Sequence, residues 1–246
     1  MAGKVSKAEP VQGPRPRVLW ISRAQPGAAA TADRARALGI EPVIEPLLEV
    51  RPIADAVIDL TGVQALVFTS ANAVAAFAER SKDRALRVFA VGDATAAAAR
   101  AQRFASVLSA QGDVKALAAA LFARRRELTG VVYYLAAAEP SQDLAGALEA
   151  VGLKVRQTAI YETVPRAPSD ALAERLAGID GVLLHSSKAA RELAAYLKTH
   201  PAPHLRAYCI SPQVARAVSR AGLAGALSAA EPTEAALLAL MNSPPL

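Results

Sequence analysis

A stretch that occurs twice constrains the fold more than any other feature of this 246-residue chain. ALVFTSANAV, followed by RVFAVGDATAAAA, recurs further along as GVLLHSSKAA and RAYCISPQVARAV. In both copies an apolar, β-type run ends in small polar residues, and an alanine-rich helical pattern follows. The spacing also repeats, with offsets of 116, 119 and 119 residues for the pairs Ser70 and Ser186, Gly92 and Ser211, and Ser109 and Ser228.

A fainter repeat links the opening of the chain to its middle. VLWISRAQPG is echoed by VVYYLAAAEP, so that Val18 corresponds to Val132 and Gly39 to Gly152. The first copy of this pattern precedes the central block, whereas the second copy closes it. The two units are therefore permuted relative to each other, which favours one domain inserted within another.

Each repeated unit contains five apolar runs that alternate with helical patterns. This alternation predicts an α/β fold with parallel sheets covered on both faces, in two flavodoxin-like doubly wound domains. Two extended segments, around Glu49 and Thr163, are expected to pair as a two-stranded hinge, with a cleft between the domains. The predicted bounds are a disordered tail at 1–16, domain 1 at 17–48 and 164–246, domain 2 at 53–160, and hinge segments at 49–52 and 161–163.

Composition excludes several classes of protein. A hydrophobic content of 53% with 20% charged residues indicates a packed globular chain, and no apolar run approaches the ~18 residues of a membrane span. The N-terminus lacks an apolar signal region, and Cys209 is the single cysteine, so we expect a cytoplasmic protein without disulfides. Half of the net charge of +6 lies in residues 1–17 and aromatic residues are only 4%, which argues against nucleic-acid binding.

Small polar residues follow the predicted strands, where parallel α/β sheets bind ligands. Each has a plain alternative role as a helix N-cap. Several helix N-termini facing one cleft would nevertheless hold an anion with many carboxylates without many Lys or Arg side chains. The candidate binding residues are Arg23, Thr69, Ser70, Ala71, Asn72, Gly92, Thr95, Ser186, Ser187 and Ser211.

Other site chemistries have little support in the sequence. GxGxxG and GxxxxGK[ST] are both missing, so nucleotide binding is not indicated. His185, His200 and His204 lack metal-ligand spacing, and we expect neither a metal nor a cofactor. His185 adjoins Ser186, but neighbouring residues on a strand point to opposite faces, which disfavours a nucleophilic pair.

Five motifs in this order resemble the uroporphyrinogen-III synthase family: TSANAV, VGDATA, GDVKAL, IYETVP and PTEAALLAL. The resemblance extends from about Val18 to Leu240. It implies a bilobed α/β enzyme that cyclises hydroxymethylbilane, a linear tetrapyrrole, with inversion of ring D and loss of water. The family needs no metal or cofactor.

The resemblance also implies roles for particular residues. Tyr161, in IYETVP, matches the family's tyrosine at the cleft edge and is the candidate catalytic proton donor; its alternative role is an aromatic packed under the hinge. Arg23 matches an arginine that either binds a substrate carboxylate or braces its loop. The run Ala136-Ala137-Ala138-Glu139 departs from the family, where a basic or glycine-containing loop is common.

Two other functions compete with this interpretation. The first is an inactive tetrapyrrole- or anion-binding regulatory module of the same fold, and the second is a solute-binding protein, which the missing signal region disfavours. For an enzyme, we expect a monomer with an anionic linear tetrapyrrole as substrate and possible transient contact with the preceding, hydroxymethylbilane-forming enzyme. We expect neither nucleic acid nor membrane as a partner.

Overall fold

The computed structural model describes residues 15–25, 27–140 and 142–241. Most of the predicted tail lies outside these ranges, although Arg15 and Pro16 are included and Pro16 is buried. The chain divides into two compact units, one formed by residues up to Glu49 together with those from Pro165 onward, the other by Val50–Val164. Elements are numbered along the whole chain.

The first unit contains a five-stranded parallel sheet in the order β11-β10-β9-β1-β2. Its strands are β1 (Val18–Ile21), β2 (Glu41–Ile44), β9 (Gly181–Leu184), β10 (Arg206–Cys209) and β11 (Gly225–Ser228). Its helices are α1 (Gly27–Ala37), α6 (Asp170–Arg175), α7 (Ser187–Tyr196), α8 (Pro212–Val218) and α9 (Glu234–Ala239), with a 3₁₀ turn at Leu176–Gly178.

Both faces of this sheet are buried. Along β1, Trp20 joins one hydrophobic cluster with Leu193 of α7, whereas Leu19 joins a second with Leu237 of α9. Consecutive side chains of a strand point to opposite faces, so an apolar run without alternation requires helices on both sides.

The second unit contains a six-stranded sheet in the order β3-β8-β7-β4-β5-β6. Its strands are β3 (Leu48–Pro52), β4 (Val63–Phe68), β5 (Arg87–Ala90), β6 (Val107–Ser109), β7 (Val131–Ala137) and β8 (Lys154–Pro165). Its helices are α2 (Ala71–Arg80), α3 (Asp93–Ala101), α4 (Val114–Ala123) and α5 (Leu144–Glu149). The parallel α/β fold predicted from the alternating pattern is confirmed in both sheets.

The spatial order of the strands agrees with the permuted repeat. The order β2-β1-β9-β10-β11 of the first unit corresponds, position by position, to β8-β7-β4-β5-β6 of the second. Thus β1 matches β7 and β9 matches β4, as the pairs Val18 with Val132 and Ser186 with Ser70 require. The flavodoxin strand order is read directly along the chain in the first unit, and only after permutation in the second.

The segments predicted as a two-stranded hinge do pair, and they pair as part of a sheet. Arg166 N donates to Leu47 O at 2.9 Å and Ile53 N donates to Ile160 O at 3.1 Å, a register in which the two strands run antiparallel. β3 therefore adds a sixth strand beside β8, where five had been expected. Among the described residues, no helix combines the length and apolar character needed to cross a membrane.

Candidate active site

Tyr161 follows an irregularity in β8. In the pairing of β7 with β8, Ala136 lies opposite Ala159 and Ala137 lies opposite Tyr161, so Ile160 is an extra residue. Ile160 and Tyr161 are consecutive, yet both pack into the same hydrophobic cluster. A β-bulge has this effect, because it re-aims the side chains that follow it.

The phenol of Tyr161 is held in a buried, polar corner. Tyr161 is 7% exposed, and the Ser70 side chain is the polar group that interacts most with its hydroxyl. Burial raises the pKa of Tyr161 above its usual value of 10; the interaction with Ser70 opposes this shift and the nearby Tyr134 adds to it. The phenol is consequently protonated throughout the neutral range.

Tyr134 and Thr69 extend this polar corner. The Tyr134 hydroxyl lies 3.3 Å from Thr69 Oγ1, and Tyr134 is 2% exposed. Sequence reasoning missed Tyr134, which stands in the apolar run VVYYLAA near the carboxyl end of β7. A buried tyrosine hydroxyl usually has a hydrogen-bond partner, so a tyrosine in a buried strand suggests another polar residue close by. The two adjacent tyrosines in this otherwise apolar run were therefore the sequence feature that could have indicated a polar site at this strand.

The predicted TSAN residues form the start of α2. Ser70 is the N-cap and its hydroxyl accepts from Asn72 N at 3.1 Å, while Ala71 and Asn72 open the helix. The N-cap role therefore coexists in Ser70 with its contact to Tyr161.

The VGDATA residues form the start of α3. Gly92 is the N-cap and offers no side-chain hydrogen bond. Thr95 lies in the first turn of the helix but is only 6% exposed. Contact between its hydroxyl and a substrate carboxylate would therefore require the surrounding groups to move.

The equivalent residues of the first unit are also N-caps. The Ser186 hydroxyl accepts from Ala189 N at 3.1 Å at the start of α7, whose first residue is Ser187. The Ser211 hydroxyl accepts from Val214 N at 3.4 Å at the start of α8. Within each unit, the predicted binding residues thus lie at the carboxyl edge of the sheet.

Arg23 is engaged by a carboxylate of its own unit. Its Nη1 donates to Glu234 Oε2 at 3.1 Å, and the same carboxylate also contacts the Thr31 hydroxyl and His185 Nε2, the latter at 2.9 Å. Burial alone would raise the pKa of Glu234, but hydrogen bonds from His185 and Thr31 and the charges of His185 and Arg23 lower it to about 2. This ion pair is consistent with the bracing role considered for Arg23, and contact with a substrate carboxylate stays a prediction.

Glu234 was missed by sequence reasoning although it stands in the quoted motif PTEAALLAL. An acidic residue in the first turn of a helix is commonplace, and the pattern gives no sign of its partners. His185, to which the sequence assigned no role, contacts the same carboxylate through Nε2.

The run Ala136-Ala137-Ala138 supports Tyr161 through the backbone. β7 continues to Ala137, and Ala138 N donates to Tyr161 O at 2.8 Å. Where the family often has a basic or glycine-containing loop, this chain extends the strand pairing that fixes Tyr161. Within the part of the chain that the structure describes, no three His, Cys, Asp or Glu side chains are grouped as metal ligands.

Comparison with known proteins identifies a family. A family model described as uroporphyrinogen-III synthase HemD matches residues 29–239. No curated protein matches the sequence significantly.

Solved structures add evidence on the fold. The crystal structure of uroporphyrinogen-III synthetase from Helicobacter pylori gives a TM-score of 0.63 at 19% identity, covering 91% of this chain and 97% of that one. A mutant uroporphyrinogen III synthase from the extremely thermophilic bacterium Thermus thermophilus is 17% identical with a TM-score of 0.48, covering 90% and 96%. At this level of identity, the Helicobacter likeness supports the fold alone.

Proposed function

The chain belongs to the uroporphyrinogen-III synthase family, cyclising lyases of haem biosynthesis, and from that premise we propose that Tyr161 is its catalytic proton donor. The observation that carries the proposal is a buried, neutral phenol at the carboxyl edge of a parallel sheet, where the Ser70 side chain interacts with it. Ligands of such sheets bind at this edge.

The reaction begins when hydroxide leaves the hydroxymethyl group of hydroxymethylbilane. Tyr161 gives its proton to the departing hydroxide, so that water leaves and an electrophilic azafulvene remains. The terminal pyrrole attacks at its substituted carbon to form a spiro intermediate, which fragments and recloses with ring D inverted. The proton that the closing ring finally releases restores the phenol.

Ser70 and Tyr134 are proposed as the residues that orient this phenol. The Ser70 side chain interacts with the phenol, and it is fixed in turn because its hydroxyl caps α2. Tyr134, whose hydroxyl lies 3.3 Å from Thr69 Oγ1, acts on the phenol electrostatically and raises its pKa. A donor held in one orientation favours protonation of the leaving group over unproductive encounters.

Substrate carboxylates are proposed to bind at the N-termini of α2 and α7. Each helix is ten residues long, begins at a serine cap, and lies at the carboxyl edge of its own sheet. The unpaired backbone N–H groups of such termini attract anions. The same role is proposed for the remaining predicted binding residues: Arg23, Thr69, Ala71, Asn72, Gly92, Thr95, Ser187 and Ser211.

The test is Tyr161→Phe, assayed with hydroxymethylbilane while the oxidised porphyrins are resolved by isomer. Loss of general acid assistance should lower kcat by about 10²–10⁴-fold. The aromatic ring is kept, so the fold should be unchanged. Type III product should still dominate the turnover that remains, since ring inversion depends on how the whole chain of pyrroles is held.

Tyr196→Phe is the matched control. It removes the same atom from a tyrosine of the first unit whose buried hydroxyl has no partner among the described residues. Its kcat should match that of the wild type. A Tyr161→Phe enzyme with an unchanged rate would remove Tyr161 from the mechanism, and one producing chiefly type I product would make its hydroxyl a positioning contact.

The remaining proposals concern assembly and compartment. We infer a monomer in the cytoplasm, with transient contact to the hydroxymethylbilane-forming enzyme that precedes it. The single cysteine supports only the choice of a reducing compartment: Cys209 is buried, and burial raises the pKa of its thiol to about 12, so it is poorly suited to disulfide chemistry.

A further inference from the structure

A pocket of about 310 Å³ opens at the amino-terminal edge of the sheet in the first unit. Its walls come from residues at or just before the first residues of β1, β9 and β10, namely Arg15, Arg17, Asp180, His204, Arg206 and Tyr208. The predicted substrate-binding residues of this unit follow the carboxyl ends of β1, β9 and β10. The pocket is therefore at the opposite edge from them.

Three arginines line this space. Among the described residues, no carboxylate forms an ion pair with Arg15, Arg17 or Arg206. Like charges gathered around one cavity repel one another, and a bound counter-ion relieves that repulsion. Guanidinium groups also present donors in a planar fork that fits phosphate and carboxylate oxygens.

The one carboxylate of the pocket is already occupied. Asp180 Oδ2 accepts from Arg17 N at 2.7 Å and from Val18 N at 2.9 Å. This carboxylate fixes the start of β1 and leaves the guanidinium groups available. The pocket consequently has a net positive charge.

The base of the pocket is rigid. Tyr208 is 2% exposed, and the Arg206 guanidinium interacts with its hydroxyl. Gly181 makes room for the ring: a Cβ there would lie 2.6 Å from Tyr208 Cε2. At the rim, Arg15 Nη2 lies near Gly39, where a Cβ would be 3.6 Å away.

We propose that this pocket binds a small polyanion bearing two or more phosphate or carboxylate groups, at a site separate from that of the tetrapyrrole. The volume suits a ligand of this size, and the three arginines that line it favour an anion with several oxygens. The proposal goes beyond the synthase reaction, and it does not depend on Tyr161.

Inorganic pyrophosphate is the probe, titrated calorimetrically into the full chain at constant ionic strength. We expect saturable binding of one pyrophosphate per chain. Arg17→Gln and Arg206→Gln should each weaken it by about tenfold or more, the loss expected for one charge-assisted contact. Arg17→Gln is the safer variant for folding, since the contact of Arg17 with Asp180 uses the backbone N–H.

Arg191→Gln is the matched control, because it removes the same charge from an exposed position on α7. It should change affinity by less than about twofold, as screened distant charges do. Equal weakening by all three variants, or no saturable binding, would overturn the proposal. If citrate competes with pyrophosphate, the ligand class includes carboxylates; if it does not, the class is restricted to phosphates. Both results support the site, provided that Arg17→Gln and Arg206→Gln weaken pyrophosphate binding and Arg191→Gln does not.

Synthase turnover provides the last readout. Arg17→Gln should turn over hydroxymethylbilane at the wild-type rate in the absence of added anion. If its turnover instead fell in step with pyrophosphate affinity, the pocket would be part of the tetrapyrrole site, and the proposal of a separate site would be wrong.

Discussion

The Glu234 carboxylate illustrates how single residues of the first unit are held by charge. Its oxygens form hydrogen bonds with the side chains of Arg23, Thr31 and His185. Arg34 Nη1 lies 3.8 Å from Glu234 Oε1. These groups come from separate parts of the chain: the loop after β1, α1, and the end of β9. Because its side chain is only 19% exposed, the ion pair is screened less than a surface pair would be.

Glu234→Gln should destabilise the protein at neutral pH and lose its effect in acid. The pKa of Glu234, lowered from 4.5 to about 2, corresponds to roughly 3 kcal/mol. A depressed carboxyl pKa contributes stability above the unfolded value of 4.5, and that contribution fades as pH falls through about 2. Urea unfolding of both proteins at pH 7 and near pH 2.5 measures the difference.

Glu41→Gln is the control for this experiment. Glu41 pairs with Arg175 at 3.1 Å, but its side chain is 63% exposed, so its loss should cost less than about 1 kcal/mol. If Glu234→Gln were equally destabilising at both pH values, the ion pairs would not be the source of the effect.

Tyr134→Phe should affect the reaction through Tyr161. It removes the hydroxyl that lies 3.3 Å from Thr69 Oγ1, and with it the charge that raises the pKa of Tyr161. The pKa of Tyr161 should therefore fall, and the alkaline limb of the rate profile should move to lower pH. The rate at neutral pH should fall by about fivefold, because Thr69, one of the proposed binding residues, loses a hydrogen bond worth ~1 kcal/mol. Tyr133→Phe is the comparison, since its hydroxyl pairs with Thr158 at 2.8 Å. A Tyr134→Phe profile that coincides with the wild type would leave Tyr134 a packing residue only.

At the scale of elements, the N-cap of α2 has two roles, one in starting the helix and one proposed in catalysis. Its N-cap Ser70 accepts from Asn72 N, and the same side chain interacts with the Tyr161 phenol. α4 offers a cap with the first role alone: Asp113 accepts from Lys115 N at 2.9 Å and from Ala116 N at 3.0 Å. Comparing the two caps separates helix stability from catalysis.

Ser70→Ala should cost about 1 kcal/mol of stability, as should Asp113→Ala, because each removes an N-cap. Only Ser70→Ala should also lower kcat, by about tenfold, since Tyr161 loses its orienting partner. Thermal unfolding and steady-state kinetics of both variants measure the two effects. Equal kcat values in the two variants would show that Ser70 acts as a cap alone.

At the scale of the whole molecule, each unit builds its core from its own residues. Two hydrophobic clusters lie in the first unit, around Trp20 and Leu19, and two in the second, around Phe68 and Leu117. Every sheet pairing of β4 with its neighbours also lies within the second unit. A unit with its own core can fold alone.

Residues 50–164, expressed as a fragment, should fold and unfold cooperatively in urea with an m-value of about 1–3 kcal/mol/M. The complementary variant replaces these residues with a short glycine-containing turn, which the 2.9 Å bond from Arg166 N to Leu47 O makes geometrically feasible. Neither should form uroporphyrinogen III, because the fragment lacks the four proposed binding residues of the first unit, and the complementary variant lacks the six of the second unit together with Tyr161. A broad, non-cooperative transition of the fragment would contradict the independence of the units.

The sequence by itself determined the architecture. Apolar runs alternating with helical patterns require parallel sheets covered on both faces, and the permuted offsets of Ser70 with Ser186 and Val18 with Val132 predicted which strands correspond. These features follow from local periodicity and repetition, which are encoded along the chain. The N-caps were predictable for the same reason, since a cap depends on residues within one turn of a helix.

Only the tertiary structure decided how side chains distant in sequence meet. The bulge at Ile160 turns Tyr161 toward Ser70, because an extra residue in one strand shifts the face of the next side chain. Glu234 reaches Arg23 across 211 positions, and Arg17 shares a pocket with Arg206. Such contacts depend on strand register and packing, which no local pattern specifies, and they determine which of the predicted polar residues brace the fold and which remain available to a ligand.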